Sequence, residues 1–174
     1  IIDEINRGNL SKIFGELFML IEKDKRGIEL QLLYSDENFS VPANVYIIGM
    51  MNTADRSLAM LDYALRRRFS FFTMKPGFNA PGFQAYQDSL KSDDFNKLIA
   101  CVKQLNSKIA EEISLGEGFC IGHSYFCSLT PETANTQTLS SIVEYELIPL
   151  LKEYWFDEPA KIVDWSDRLR SAVK

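Results

Sequence analysis

Asp3 and Glu4 stand at the end of a strand-like apolar start, Ile1-Ile2. Asn52 ends a second apolar run, Val45-Tyr46-Ile47-Ile48-Gly49-Met50-Met51, and Thr53-Ala54-Asp55-Arg56-Ser57 follows it. One acid can hold Mg²⁺ through its water shell, and an adjacent acid can polarise an attacking water. An amide at the end of a neighbouring strand can orient that water or a phosphate oxygen. Further on, Arg66-Arg67-Arg68 offers guanidinium groups, one of which can neutralise a transferring phosphoryl group on a neighbouring subunit. Each feature has a plainer reading. The acids can be a strand end meeting solvent, and Asn52 an Asx-turn. Asp55 and Arg56 can be an exposed loop pair, and three arginines a solvated face. His123 is the only histidine and lies among Gly122, Ser124 and Tyr125. A lone histidine in that setting is more often structural than catalytic.

The surrounding pattern supplies elements able to hold these groups. Residues 45–50 read as a buried parallel strand, and in open α/β sheets ligands sit at the strands' carboxyl ends. Asn9 is a candidate cap for a helix carrying Leu10, Ile13, Phe14, Leu17, Leu20 and Ile21 on one face. Residues 28–34 and 39–41 predict a hairpin around Ser35-Asp36-Glu37-Asn38. Ser57 can cap a short helix with Leu58, Leu61 and Leu65 on one face, and residues 70–74 read as another strand. Pro76-Gly77 and Pro81-Gly82 bracket a linker, which places a domain boundary between 1–75 and 76–174. Beyond it, Phe95, Leu98, Ile99, Val102, Leu105, Ile109 and Ile113 recur at helical spacing. Leu139, Ile142, Val143, Leu150, Leu151 and Tyr154 predict a final bundle helix, kinked or restarted at Pro149.

Composition excludes several classes. The 174 residues, 46% hydrophobic and 25% charged, suit a soluble globular protein of one domain with a small appendage. A formal net charge of −5 argues against a general nucleic-acid surface. Cys101, Cys120 and Cys127 have no metal-binding spacing and cannot all pair, which fits a reducing cytoplasm. No apolar run is long enough to span a membrane. The first residue is Ile, at the very start of the presumed catalytic strand, so the chain is expected to be a fragment of something longer.

In order along the chain stand the acids, a helix, a hairpin, a strand ending in Asn52, a short helix, the arginines, a strand and a helical bundle. That order resembles the second half of an AAA+ module. The strings Ile2-Asp3-Glu4-Ile5-Asn6-Arg7-Gly8-Asn9, Met51-Asn52-Thr53-Ala54-Asp55-Arg56-Ser57, Asp62-Tyr63-Ala64-Leu65-Arg66-Arg67-Arg68-Phe69 and Ile121-Gly122-His123-Ser124-Tyr125-Phe126 are similar to the McrB family. Its members are GTP-hydrolysing motor subunits of modification-dependent restriction systems. The Met51 to Ser57 string is a specific signature of that family, and Pro149-Leu150-Leu151-Lys152-Glu153-Tyr154-Trp155-Phe156 resembles its lid.

The resemblance implies an α/β fold: the back half of an AAA+ P-loop NTPase core with a parallel sheet, then an α-helical lid. It implies Asp3 as the Mg²⁺ acid, Glu4 as the catalytic acid and Asn52 as the sensor-1 residue. Asp55 would place the attacking water, Arg56 would act at the subunit boundary, and Arg67 or Arg68 would be the finger in trans. His123 and Ser124 fall where AAA+ proteins carry their sensor-2 region. GTP with Mg²⁺ is the implied substrate, with ATP as the alternative. The implied partners are further copies in a ring, a hexamer, together with a nuclease subunit of the McrC type and, through the full assembly, DNA carrying 5-methylcytosine-type modification. A MoxR-like ATPase chaperone and a non-catalytic oligomerisation fragment are the competing readings. One departure is large: no Gly-x-x-x-x-Gly-Lys-[Ser/Thr] occurs. The chain alone is therefore expected to hold half an active site and to be inactive.

Overall fold

Ile2 pairs in parallel with Gly49: its N–H donates to Ile48 O and its carbonyl accepts from Met50 N–H, both at 2.8 Å. Ile5 N–H then donates to Met50 O at 2.9 Å. The structure, a computed structural model, describes residues 1–8, 10–52, 54 and 66–174. It divides into two units, Ile1–Thr73 and Met74–Lys174.

In the first unit, α1 (Leu10–Phe14) gives way to a 3₁₀ helix over Gly15–Ile21 and a 3₁₀ turn over Lys23–Lys25. One α-helix to Ile21 is expected from the spacing, but Gly15 adopts φ +49°, a left-handed conformation that ends the α ladder. The buried face differs from the expected one. Phe18 and Leu20 are buried while Ile13 is 65% exposed. Ile5 and Phe18 form a small core with Ile2, Phe14, Ile21 and Phe69 packed on it.

The hairpin is present but short, with β1 (Leu30–Gln31) antiparallel to β2 (Asn38–Phe39) and Leu30 opposite Phe39. The expected buried strand is a correction. Tyr46 is 86% and Ile48 58% exposed, and apart from the bridge at Gly49 residues 45–50 carry no ladder. A parallel strand is buried only when neighbours flank it and layers cover both faces. Here Ile2 is the one bridged neighbour among the described residues, so the expected parallel sheet is reduced to that bridge. Residues 70–74 form no strand either, and Phe72 is 88% exposed. Asn9 and the short helix expected after Ser57, with Asp62, lie outside the described residues.

The second unit is helical. α2 (Pro81–Leu90) begins where the sequence suggests a linker. Proline is suited to a first helical turn, because its fixed φ is helical and its missing N–H would have no intrahelical partner there. Lys91, at φ +50°, ends α2. Ser92 Oγ accepts Phe95 N–H at 3.3 Å and starts α3 (Asp93–Glu111), with Asp93 and Asp94 in its first turn. The expected stripe is buried from Phe95 to Ile109. Ile113 is the exception, lying past the helix end and fully exposed.

Two 3₁₀ turns, Glu117–Phe119 and His123–Phe126, lead on towards α4 (Thr136–Ile142), capped by Asn135 Oδ1 on Thr138 N–H at 3.0 Å. A π turn over Val143–Leu147 joins α4 to α5 (Ile148–Tyr154). Pro149 explains the π turn: it donates no hydrogen bond and its ring crowds the carbonyl four residues back, and a wider turn relieves both. α6 (Pro159–Ala172) is a helix beyond the one expected to be last, burying Trp165 and Leu169. The core of the unit is contiguous, with Phe95, Leu98, Phe126, Leu147, Leu151 and Trp155 all inside. Among the described residues no helix is long and apolar enough to cross a membrane.

Candidate functional site

The bridge from Ile2 to Gly49 decides where the two acids lie. With Ile2 and Ile5 both hydrogen-bonded to residues 48–50, the backbone of Asp3 and Glu4 turns beside the segment that runs on to Asn52. Glu4 has φ +50°, an unfavourable left-handed conformation for a side chain with a Cβ. Its N–H donates to Asp3 Oδ1 at 2.9 Å, which stabilises the turn. The Glu4 Oε2 is buried and accepts no hydrogen bond among the described residues, with Arg7 Nε 3.4 Å away. Asp3 is exposed. A half-buried acid facing Arg7 beside an exposed acid gives the pair two different environments.

Asn52 is exposed, and its Oδ1 accepts Ala54 N–H at 3.0 Å. That is the Asx-turn reading made real. It spends the amide's acceptor on the local backbone and leaves the Nδ2 donors as the groups that can face a ligand. Asp55 and Arg56 lie outside the described residues. Asn6 also carries a buried Oδ1 without a hydrogen bond among the described residues. The sequence reading treats it as loop, and its position two residues past Glu4 is the signal that could have singled it out.

The arginines divide. Arg68 is 15% exposed, forms an ion pair with Glu22 at 2.5 Å and lies 4.4 Å over the Phe18 ring. It is built into the small core of its own unit. Arg67 is exposed. Arg66 lies 5.9 Å from the Phe71 ring. Among the described residues no cluster of three or more His, Cys, Asp or Glu could hold a metal. A single exposed acid fits Mg²⁺ that keeps most of its waters and takes its other ligands from phosphate. It does not fit a dehydrated protein cage.

His123 and Ser124 belong to the second unit. His123 Nδ1 accepts Gly77 N–H at 3.0 Å, and its ring is edge-on to Phe78 and Phe83. Ser124 is exposed. The sequence reading does not single out the polar knot at the end of α3. Glu112 accepts from Trp155 Nε1 and Lys161 Nζ, each at 2.7 Å, and Lys161 also pairs with Glu158 at 2.8 Å. Burial would raise the Glu112 carboxyl, but the bonds from Lys161 and Trp155 outweigh it and hold it below its ordinary range.

Residues 1–69 match the family described as AAA domain (dynein-related subfamily), and residues 97–163 match McrB, alpha-helical lid domain. The chain is 52% identical to the Type IV methyl-directed restriction enzyme EcoKMcrB subunit of Escherichia coli (strain K12), over 97% of its own length and 39% of that protein's. It is 29% identical to the Type II restriction enzyme BsuMI component YdiS of Bacillus subtilis (strain 168), over 68% of its own length and 41% of that protein's. It thus spans about two fifths of each relative.

Proposed function

We propose, because this chain belongs to the McrB-type AAA+ proteins, that it is the rear half of a nucleotide-hydrolysing motor core with its helical lid, working in modification-dependent restriction. The observation that carries the reading is the Ile2–Gly49 bridge, which sets the backbone of Asp3 and Glu4 beside the segment ending in Asn52. Two acids and an amide brought along one bridged stretch of backbone are the kind of arrangement that phosphoryl transfer to water uses. In the complete protein this core would be a parallel sheet, of which the bridge is one rung.

The roles follow from the side chains. Mg²⁺ would supply charge neutralisation on the β- and γ-phosphates, and Asp3 would hold it through water. Glu4, whose Oε2 faces Arg7 Nε at 3.4 Å, would take a proton from the attacking water as the water oxygen bonds to the γ-phosphorus and the bond from that phosphorus to the β–γ bridging oxygen breaks. Asn52 would donate from Nδ2 to the water or to a γ-phosphate oxygen. Asp55 would help place the water, and Arg56 would act at the subunit boundary. Arg67, which is exposed, would be the arginine finger for a neighbouring copy in a ring, a hexamer, with Arg68 as the alternative. Ser124 would lie in the sensor-2 region.

GTP rather than ATP, a nuclease partner of the McrC type, modified DNA as the target and a cytoplasmic setting rest on the family. The relatives' identity as restriction enzyme components favours this reading over a chaperone ATPase. The sequence has no phosphate-cradling Gly-x-x-x-x-Gly-Lys-[Ser/Thr], so residues 1–174 alone should bind nucleotide weakly and turn over none. The test is Glu4→Gln in the complete protein. Nucleotide affinity should stay within a few-fold while turnover falls by orders of magnitude. Normal turnover in that variant would overturn the proposal.

A further inference from the structure

His123 is the residue the proposed chemistry uses least, and it has the most specific surroundings. Its Nδ1 accepts Gly77 N–H at 3.0 Å. A nitrogen that accepts carries no proton, so the neutral ring is the Nε2–H tautomer. The ring is edge-on to Phe78 and Phe83, with centroids 6.2 and 5.8 Å away. A Cβ at residue 77 would meet three ring atoms at 3.0 to 3.3 Å, so the ring would have to shift by a few tenths of an ångström. The contact continues on either side: Lys75 Nζ reaches Glu117 Oε1 at 2.8 Å, and the Phe78 ring lies 6.1 Å from that of Phe126. Residues 75–78 are thus laid along residues 117–126 through an ion pair, a hydrogen bond and ring contacts.

Residues 117–126 are themselves held from the other side. Asn106, on α3, donates from Nδ2 to Ile121 O at 2.9 Å and accepts Ile121 N–H on Oδ1 at 2.7 Å. This is a two-way amide pairing of the kind one strand makes with another. Cys127 Sγ also lies 3.3 Å from His123 O.

We infer that His123 is a positioning residue that acts through Nδ1. It latches the stretch by which the chain enters the helical unit onto the segment that carries Ser124. Pro76-Gly77, which in sequence looks like a free linker, is then part of the helical unit. In its functional arm the inference rests on the proposed nucleotide site, where the competing role for His123 is a nucleotide ligand through Nε2.

Two conservative variants separate these roles in the complete protein. In His123→Asn the amide oxygen stands near the place of Nδ1 and can still accept from Gly77. In His123→Gln the amide reaches towards the place of Nε2 instead. Hydrogen exchange at Gly77 should be unchanged in His123→Asn and faster by roughly fivefold or more in His123→Gln, the loss expected for one backbone hydrogen bond. His123→Asn should keep both kcat and KM for GTP, and His123→Gln should lower kcat with KM near normal. Gly77→Ala, which crowds the ring without touching its chemistry, should speed exchange across residues 121–126. The reverse ranking, with Gln normal and Asn raising KM, would make Nε2 a ligand and overturn the latch. Equal Gly77 exchange in both variants would overturn it as well. The exchange measurement needs no turnover, so it stays readable if Glu4→Gln shows the nucleotide-site proposal to be wrong.

Discussion

Arg67 and Arg68 are chemically identical and adjacent, and only their surroundings tell them apart. Arg68 is stacked over Phe18 at 4.4 Å and ion-paired with Glu22 at 2.5 Å, at 15% exposure. A desolvated guanidinium on an aromatic face with a carboxylate partner contributes about 1–2 kcal/mol, and removing it strands Glu22. Arg68→Ala should therefore lower the thermal midpoint of the first unit and lower turnover only as far as folding suffers. Arg67→Ala should leave the midpoint within about 0.5 kcal/mol, as expected at an exposed position. Its turnover in the complete protein should drop by up to roughly 10³–10⁵, as for a finger. Mixing Arg67→Ala subunits with Glu4→Gln subunits should restore part of the activity, because some interfaces then pair an intact arginine with an intact acid. Two inactive partners that stay inactive when mixed would place Arg67 in its own subunit's site. Near-normal turnover in Arg67→Ala would leave the run of arginines a solvated face.

At the scale of elements, the knot at Glu112 ties the end of α3 to α5 and α6. Trp155 and Lys161 hold the Glu112 carboxyl below its ordinary value of 4.5, against the opposing effect of burial. A carboxyl whose folded value is depressed stabilises the fold fully above its unfolded value. That contribution is lost as pH falls through the lower, folded value. The helical unit's midpoint should thus decline below about pH 4.5. Glu112→Gln, which keeps an acceptor for Trp155 but loses the charge facing Lys161, should cost about 1 kcal/mol at neutral pH and flatten that decline. A midpoint in the variant that follows the same acid slope would assign the slope to other carboxylates. Packing in α6 gives a separate check: Leu169, fully buried, should cost about 2–5 kcal/mol as Ala. Val163, 60% exposed, should cost almost nothing as Ala.

What the sequence made legible also differs by element. α3 could be read because its apolar residues recur at helical spacing from Phe95 to Ile109, and because it packs on helices of the same chain. α2 was hidden because Pro81-Gly82 looks like loop until the proline is seen as the first turn. α6 was hidden because its apolar residues Ile162, Trp165, Leu169 and Val173 are diluted by charges and follow Asp157-Glu158-Pro159. The 3₁₀ pitch after Gly15 has no signature beyond the glycine. Asn52 and the acids were visible as residue types at strand ends. The left-handed turn at Glu4, the Asx-turn that uses Asn52 Oδ1, and the Glu22 partner that singles out Arg68 are all set by neighbours no local pattern names.

At the scale of the whole molecule the two units are unequally covered. The helical unit buries a contiguous core, whereas Val45, Tyr46, Ile48, Met50, Phe71 and Phe72 in the first unit are all more than 40% exposed. Exposed apolar residues grouped along a segment mark a surface meant to be covered. A parallel strand in particular is stable when neighbours hydrogen-bond it and layers hide both faces. On the McrB-type AAA+ reading proposed above, the cover would be further structure of the same α/β core. Native-state hydrogen exchange can decide this, since protection reports how much buried structure must open at each amide. In residues 1–174 alone, the amides of Leu98 to Ile109 should exchange at rates set by the unit's global stability, and those of Tyr46 to Ile48 should exchange nearly unprotected. In the complete protein the amides of Tyr46 to Ile48 should slow by several orders of magnitude, approaching those of α3. If they stay fast there, residues 45–50 are not a central strand. Asn52 would then lose the rigid support that its proposed role beside Glu4 requires.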